Sequence, residues 1–360
     1  MVAQLRQFKL NRTTVLWMLT LVYMFSLVDR QIIGILSPII KADLGFTDSQ
    51  LGWLKGFAFA LLYTSVGIPL AWLADRFNRV RIIAISLVVW SAFTVFTGMA
   101  TSFVGMLIAR IGVGIGEAGG TPPAHSIISD LYAKEQRTSA LAIYGLGVPL
   151  GITLAFVTSA VLVEWIGWRG TLVVLGIGGI IFAVIMLMLI DEPQRGQMDL
   201  QTDQADLPIS IRASLSILRT IPSWWGMCRG MAFVSFGSYA VSAWGTDYVF
   251  RFDANYIAGT ENSKFQSYML VMAVVHFIGL GFGTYLGGLL AERYSRRNVA
   301  AYAWVPIAAI LLGAPCLMLA FWVDSVPLHL MFIGIYITLS GVWVAPCFAA
   351  AQTLVPVRMR

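Results

Sequence analysis

Ten apolar runs, each long enough to cross a bilayer, narrow what this chain can become more than any other feature. They cover residues 13 to 40, 50 to 73, 80 to 100, 104 to 131, 138 to 163, 168 to 190, 224 to 250, 266 to 290, 298 to 323 and 327 to 355. A spanning helix needs about 20 apolar residues. Lipid offers no hydrogen-bond partners, so the backbone inside it must pair with itself. With 58% hydrophobic and 12% charged residues in 360, the chain is too apolar for a water-soluble globule. The sequence predicts an all-α polytopic membrane protein.

The net charge of +6 falls in short clusters between the runs, which fits membrane topology and argues against a nucleic-acid partner. Arg76, Arg79 and Arg81, then Lys134 and Arg137, then Arg195, Arg212 and Arg219, then Arg293, Arg296 and Arg297, and lastly Arg358 and Arg360 lie in alternate connections. The other connections carry fewer bases, mainly Lys41, Arg169, Arg251 and Lys264. The positive-inside rule therefore predicts a cytoplasmic N-terminus. The apolar run after Arg6, Lys9 and Arg12 is too long for a signal-peptide core and lacks a cleavage site. Cys228, Cys316 and Cys347 show no metal-ligand spacing and no disulfide pattern. No His-Glu-x-x-His or Gly-x-Ser-x-Gly pattern appears, so enzyme chemistry is not predicted, and neither is a cofactor or a metal.

Residues 191–223 form the one long polar break. They divide the chain into residues 1–190 with six runs, a cytoplasmic linker, and residues 224–360 with four. Ile211, Leu215, Leu218 and Ile221 recur at helical spacing within the break, consistent with a short interfacial helix or with a disordered linker. The stretch Ala71 to Arg79 after the second run lines up with Gly288 to Arg296 after the eighth. Duplicated six-helix halves of this kind are a transporter architecture with a midplane site.

Inside the first run stands Ser26-Leu27-Val28-Asp29-Arg30-Gln31. A charge at that depth costs roughly 2.5 to 3.5 kcal/mol on insertion scales, and such residues are usually paired and functional. The fourth run carries Arg110 and Glu117, seven apart and therefore on one face, with Gly112, Gly116 and Gly120 at four-residue spacing for close helix packing. A buried carboxylate near a base is the equipment a proton-coupled carrier needs. Asp29 and Arg30 point about 100° apart, so they cannot both face the same partner. The alternative is a fixed charge pair that holds two helices together. His125, His276 and Trp244 are weaker candidates, since a lone His in a bundle is more often a packing residue. Gly147, Pro149 and Gly151 permit a bend and close packing in the fifth run.

The stretch Leu73-Ala74-Asp75-Arg76-Phe77-Asn78-Arg79 resembles the loop motif between helices 2 and 3 of the major facilitator superfamily, with Ala71 in place of a Gly. Gly288 to Arg297 resembles its second copy, with Glu292 in place of Asp. Val28-Asp29-Arg30, Gly116-Glu117-Ala118 and Asp130-Leu131 followed by Gln136-Arg137 resemble the spinster-like branch. The resemblance implies two pseudo-symmetric six-helix bundles, here truncated to ten helices, because Gln352 to Arg360 reads as an approach to a further helix. It implies Asp29, Arg30 and Glu117 as the substrate and proton-coupling residues, with Arg30 and Glu117 a charged pair in the central cavity and Asp29 turned to another neighbour. It implies a cytoplasmic gate at Asp75, Arg76, Arg79, Arg137, Glu292, Arg293 and Arg296. The function implied is proton-coupled transport of an amphipathic anion such as a lysolipid, with a small water-soluble organic anion, or a non-transporting receptor, as alternatives. The resemblance also implies a monomer in a bacterial inner membrane, with lipid, substrate and protons as its partners.

Overall fold

The computed structural model describes residues 11–196, 198, 216–252 and 264–354. All regular structure among the described residues is helical. Two compact units divide the chain: Met1–Asp203 with Asp253–Leu270, and Gln204–Phe252 with Val271–Arg360.

The first unit is built from α1 (Arg12–Leu44), α2 (Asp48–Gly52), a π-helical turn (Trp53–Phe57), α3 (Ala58–Ala74), α4 (Arg79–Met99), α5 (Phe103–Glu117), α6 (Thr121–Leu131), α7 (Lys134–Gly145) and α8 (Gly147–Leu189). The ends are set by local chemistry. Asn11 caps α1 on the Thr13 N–H, and Gly45 closes it in the left-handed region at φ 67°. Thr47 and Gln50 form a reciprocal capping box at α2, and Asn78 and Ser102 cap α4 and α5. At 43 residues, α8 would extend about 65 Å, twice the hydrocarbon thickness. It breaks at Gly167 (φ 68°, ψ 175°), a conformation that favours glycine, and so makes two crossings. The expected separate runs 138–163 and 168–190 are the two limbs of this broken segment.

The two limbs of α8 pack on α1 and α4, and α5 packs on α4 and α3. Trp90, Ile83, Leu87, Val113 and Ile127 are fully buried in the resulting core. The glycines of the fourth and fifth runs are spent on these contacts. A Cβ at Gly116 would lie 2.6 Å from the Trp90 backbone nitrogen, one at Gly112 2.4 Å from the Phe93 ring, and one at Gly151 2.6 Å from the Met24 carbonyl oxygen. Gly120 is less tightly placed, with Trp90 ring atoms 3.7 Å away. Gly116→Ala therefore forces α4 and α5 apart and is expected to cost about 1–3 kcal/mol in thermal unfolding. Gly178→Ala, where nothing lies within 4 Å, is the matched comparison and should be neutral or slightly stabilising.

The second unit holds α9 (Pro222–Phe252), α10 (Phe265–Ser295) from Val271 onward, α11 (Ala301–Ala320), α12 (Val326–Gly341) and α13 (Val344–Leu354). Eight helices among the described residues are long and apolar enough to cross a membrane, the broken segment Ser139–Leu189 counting once. Counting its two limbs separately and adding the 31-residue α9 reproduces the ten runs. Backbones approach closely here too: a Cβ at Gly287 would lie 2.1 Å from the Val342 carbonyl oxygen. An apolar cavity of 520 Å³ opens between α9, α11 and α13, lined by Met227, Met231, Tyr302, Pro306, Trp343 and Cys347. Of the interfacial helix expected around 211–221, residues 211–215 lie outside the described residues, and residues 216–219 are helical.

Candidate functional site

Four charged side chains from two helices of the first unit meet inside the membrane-spanning region. α1 supplies Asp29 and Arg30, and α5 supplies Arg110 and Glu117. The Arg30 Nη2 donates to Glu117 Oε2 at 2.8 Å, and the Ser26 hydroxyl donates to the same oxygen at 2.8 Å. The Glu117 side chain has no solvent exposure, whereas Arg30 retains 15%. Ser26 lies one turn before Arg30, so both reach the carboxylate from one face of α1. The other carboxylate oxygen, Glu117 Oε1, is buried with no hydrogen-bond partner among the described residues.

Asp29 turns away from this pair, as its position next to Arg30 on the helix requires. Its Oδ1 accepts from the Thr94 hydroxyl of α4 at 2.8 Å. Arg110, expected to share a face with Glu117, spends its guanidinium on backbone. Its Nη1 donates to the Asp29 carbonyl at 3.4 Å and its Nε to the Leu54 carbonyl in the π-helical turn at 3.5 Å, both long bonds. Two aromatic rings of α3 complete the surroundings: the Arg30 guanidinium lies 4.8 Å from the Phe59 ring centre and 4.9 Å from that of Tyr63. Burying an ion pair carries a desolvation penalty of several kcal/mol per ion, offset only where further donors satisfy the charges. Ser26, Thr94 and the backbone carbonyls supply those partners.

Sequence reasoning found the four charges and missed Ser26, Thr94, Phe59 and Tyr63 as their partners. Serine and threonine in membrane helices commonly bond their own preceding turn, as Thr20, Thr64 and Ser65 do here. Only the position of Ser26, four residues before Arg30, carried a signal. His125 packs edge-on to Tyr144, which stacks on Tyr23. His276 and Trp244 belong to the second unit. The His276 Nδ1 lies 2.8 Å from the Met272 carbonyl of its own helix, and Trp244 sits 6.0 Å from the Arg251 guanidinium.

At the end of the unit that carries the α3–α4 turn, Arg79 is buried. Its Nε donates to Glu192 at 2.7 Å and its Nη2 to the Pro193 carbonyl at 3.0 Å, while its Nη1 donates to Ser126 at 2.8 Å and to Asp130. Glu192 also accepts from the Val80 N–H at 3.0 Å, at the start of α4. Arg195 donates to the carbonyls of Ala74 and Phe77 at 2.7 Å and to that of Asp75, closing the end of α3. An acid thus meets the positive end of one helix dipole and a base the negative end of its neighbour. Arg76 lies over the Trp72 ring at 3.9 Å, and Arg137 donates to the carbonyls of Ser129 and Tyr132.

The repeat does not reproduce this arrangement. Arg296, the counterpart of Arg79, is 77% exposed and pairs at 3.1 Å with Glu292 on its own helix. At this position the two copies of the stretch differ. The buried state of Arg79 depends on Asp130 and on Glu192, and neither belongs to the repeated stretch.

Comparison with known proteins identifies the family. Residues 19–360 match the model of the Major Facilitator Superfamily. An MFS-type efflux pump of Mycolicibacterium smegmatis is 27% identical over 94% of this chain and 76% of its own length. A probable sulfoacetate transporter of Cupriavidus necator is 25% identical over 95% of this chain and 81% of its own. The crystal structure of a bacterial homolog of the human lysosomal transporter Spinster, inward-facing and unoccupied, superposes with a TM-score of 0.85 at 31% identity. It covers 97% of this chain, which spans 77% of that one. The chain therefore belongs to the major facilitator superfamily and is spinster-like.

Proposed function

We propose that the protein is a proton-coupled secondary transporter of an amphipathic organic anion, with Arg30 as the anion-binding residue and Glu117 as its proton-dependent competitor. The observation that carries this reading is the single oxygen, Glu117 Oε2, on which both Arg30 and Ser26 converge while Oε1 stays without a donor. An ionised Glu117 holds the guanidinium. A proton taken up on the carboxylate neutralises it, and the guanidinium is then released to a substrate anion. Departure of the anion returns Arg30 to Glu117 and the proton to water. Anion and proton are thus linked, and each strengthens the binding of the other by the same factor. Asp29, held by Thr94, is a second proton-exchanging group. The aromatic rings beside Arg30 favour a substrate with an apolar body over a fully hydrated one. The transport cycle is alternating access, as in repeat-built carriers.

A small water-soluble anion is the second reading, favoured by the similarity to a probable sulfoacetate transporter. Flux into proteoliposomes of the full-length protein, with an anionic lysophospholipid and sulfoacetate as parallel probes, separates the two. The first reading expects pH-gradient-driven movement of the lysophospholipid and at least a tenfold loss with Arg30→Ala. Lysophospholipid flux unchanged by that substitution would remove Arg30 from its role.

A further inference from the structure

We propose that Phe59 is a positioning residue serving two guanidiniums through one ring, holding Arg30 toward Glu117 and Arg110 on the backbone; the inference rests on the transport reading of this site. The Phe59 side chain is buried, with the Arg30 guanidinium 4.8 Å and that of Arg110 5.7 Å from its ring centre. Tyr63, one turn further along α3, stacks on Phe59 at 5.4 Å and meets Arg30 at 4.9 Å.

Two cations brought close together in a low-dielectric interior repel each other; here Arg30 pairs with Glu117, and Arg110 feels the charges of Glu117, Asp29 and Arg30. An aromatic face is electron-rich and attracts a cation by about 0.5 to 2 kcal/mol, more where water is excluded. The ring therefore offers each guanidinium a favourable surface without supplying a charge that would compete with the substrate. With Arg110 held by Phe59 and by the carbonyls of Asp29 and Leu54, only Arg30 addresses Glu117. When Glu117 is protonated, the ring still holds Arg30 in place for an incoming anion.

The position of Phe59 is built by its neighbours. Gly114 of α5 faces it, where a Cβ would stand 3.0 Å from the Phe59 carbonyl oxygen and 3.4 Å from its Cα and ring. Directly before α3, the turn Trp53–Phe57 is π-helical, and such a turn adds a residue and re-aims the helix that follows. That turn also contains Leu54, whose carbonyl accepts from Arg110.

The test uses the full-length protein with Phe59 replaced by Tyr, by Leu and by mono-, di- and trifluorophenylalanine. Fluorine drains the ring face of electrons at nearly constant size. Two readouts are taken: the thermal unfolding midpoint without ligand, and flux of an anionic lysophospholipid. Both should fall stepwise with fluorine number, flux by roughly five- to tenfold over the series. Tyr should be close to the parent and Leu similar to the trifluoro variant. The fluorine dependence of the midpoint should weaken when Arg110→Gln removes one of the two cations. A flat fluorine series beside an impaired Phe59→Leu would make the ring mere packing and overturn the proposal. Failure of the transport reading shows differently, as flux unchanged in Arg30→Ala and Glu117→Gln, while the midpoint series still judges Phe59.

Discussion

Glu117→Gln is expected to abolish concentrative, pH-driven transport, with a loss of at least tenfold, while leaving substrate binding intact and nearly independent of pH. Gln keeps the volume of the side chain and one carbonyl oxygen for Ser26, but it can neither carry the negative charge that holds Arg30 nor accept a proton. Under the proposed coupling, apparent anion affinity of the parent protein should weaken toward alkaline pH, because Arg30 then returns to Glu117. In the variant that competition is gone, and only the contribution of Asp29 remains. Glu117→Ala is the harsher change. It leaves a largely buried guanidinium without its carboxylate, a disruption that costs about 3–5 kcal/mol in buried pairs. Ligand-binding isotherms across a pH series, alongside flux, separate these outcomes. Equal pH dependence of binding in parent and Glu117→Gln would show that the coupling proton resides elsewhere.

Arg79→Ala should be the most damaging change for stability outside the site, at about 3–5 kcal/mol, because it removes the cation on which Asp130 and Glu192 both converge. It also unties the chain after α8 from Ser126 and leaves the Pro193 carbonyl without its donor. Arg296→Ala, at the repeated position, should cost less than about 1 kcal/mol, since that residue makes an exposed pair on its own helix. The thermal midpoints of the two variants in detergent compare directly, because sequence context is nearly the same at both positions. Similar losses would mean that the buried network is not what stabilises the first unit.

The contrast between Arg79 and Arg296 marks how far the sequence could be read. Apolar runs and alternating basic connections announced a helical membrane protein, because the bilayer imposes length and charge rules on every span. Asp29, Arg30 and Glu117 stood out for the same reason, as charges where charge is costly. Their division of labour was legible too, since adjacent helical residues point in different directions, and Arg30 does take Glu117 while Asp29 takes Thr94. The uncharged partners were not legible. A hydroxyl or an aromatic ring in a membrane helix is inexpensive and common, so nothing distinguished Thr94 or Phe59 from a dozen similar residues. Nor could the fate of Arg79 be read from its motif, because the carboxylates that bury it come from the end of α6 and from the chain just after α8.

Proton uptake on substrate binding, followed with a pH-sensitive dye in weakly buffered solutions of the purified full-length protein, tests the exchange of Arg30 between Glu117 and the anion most directly. Addition of an anionic lysophospholipid should draw a proton from solution in the parent protein and none through position 117 in Glu117→Gln, although the variant still binds. Binding without proton uptake in the parent, or the same uptake in both proteins, would contradict the account.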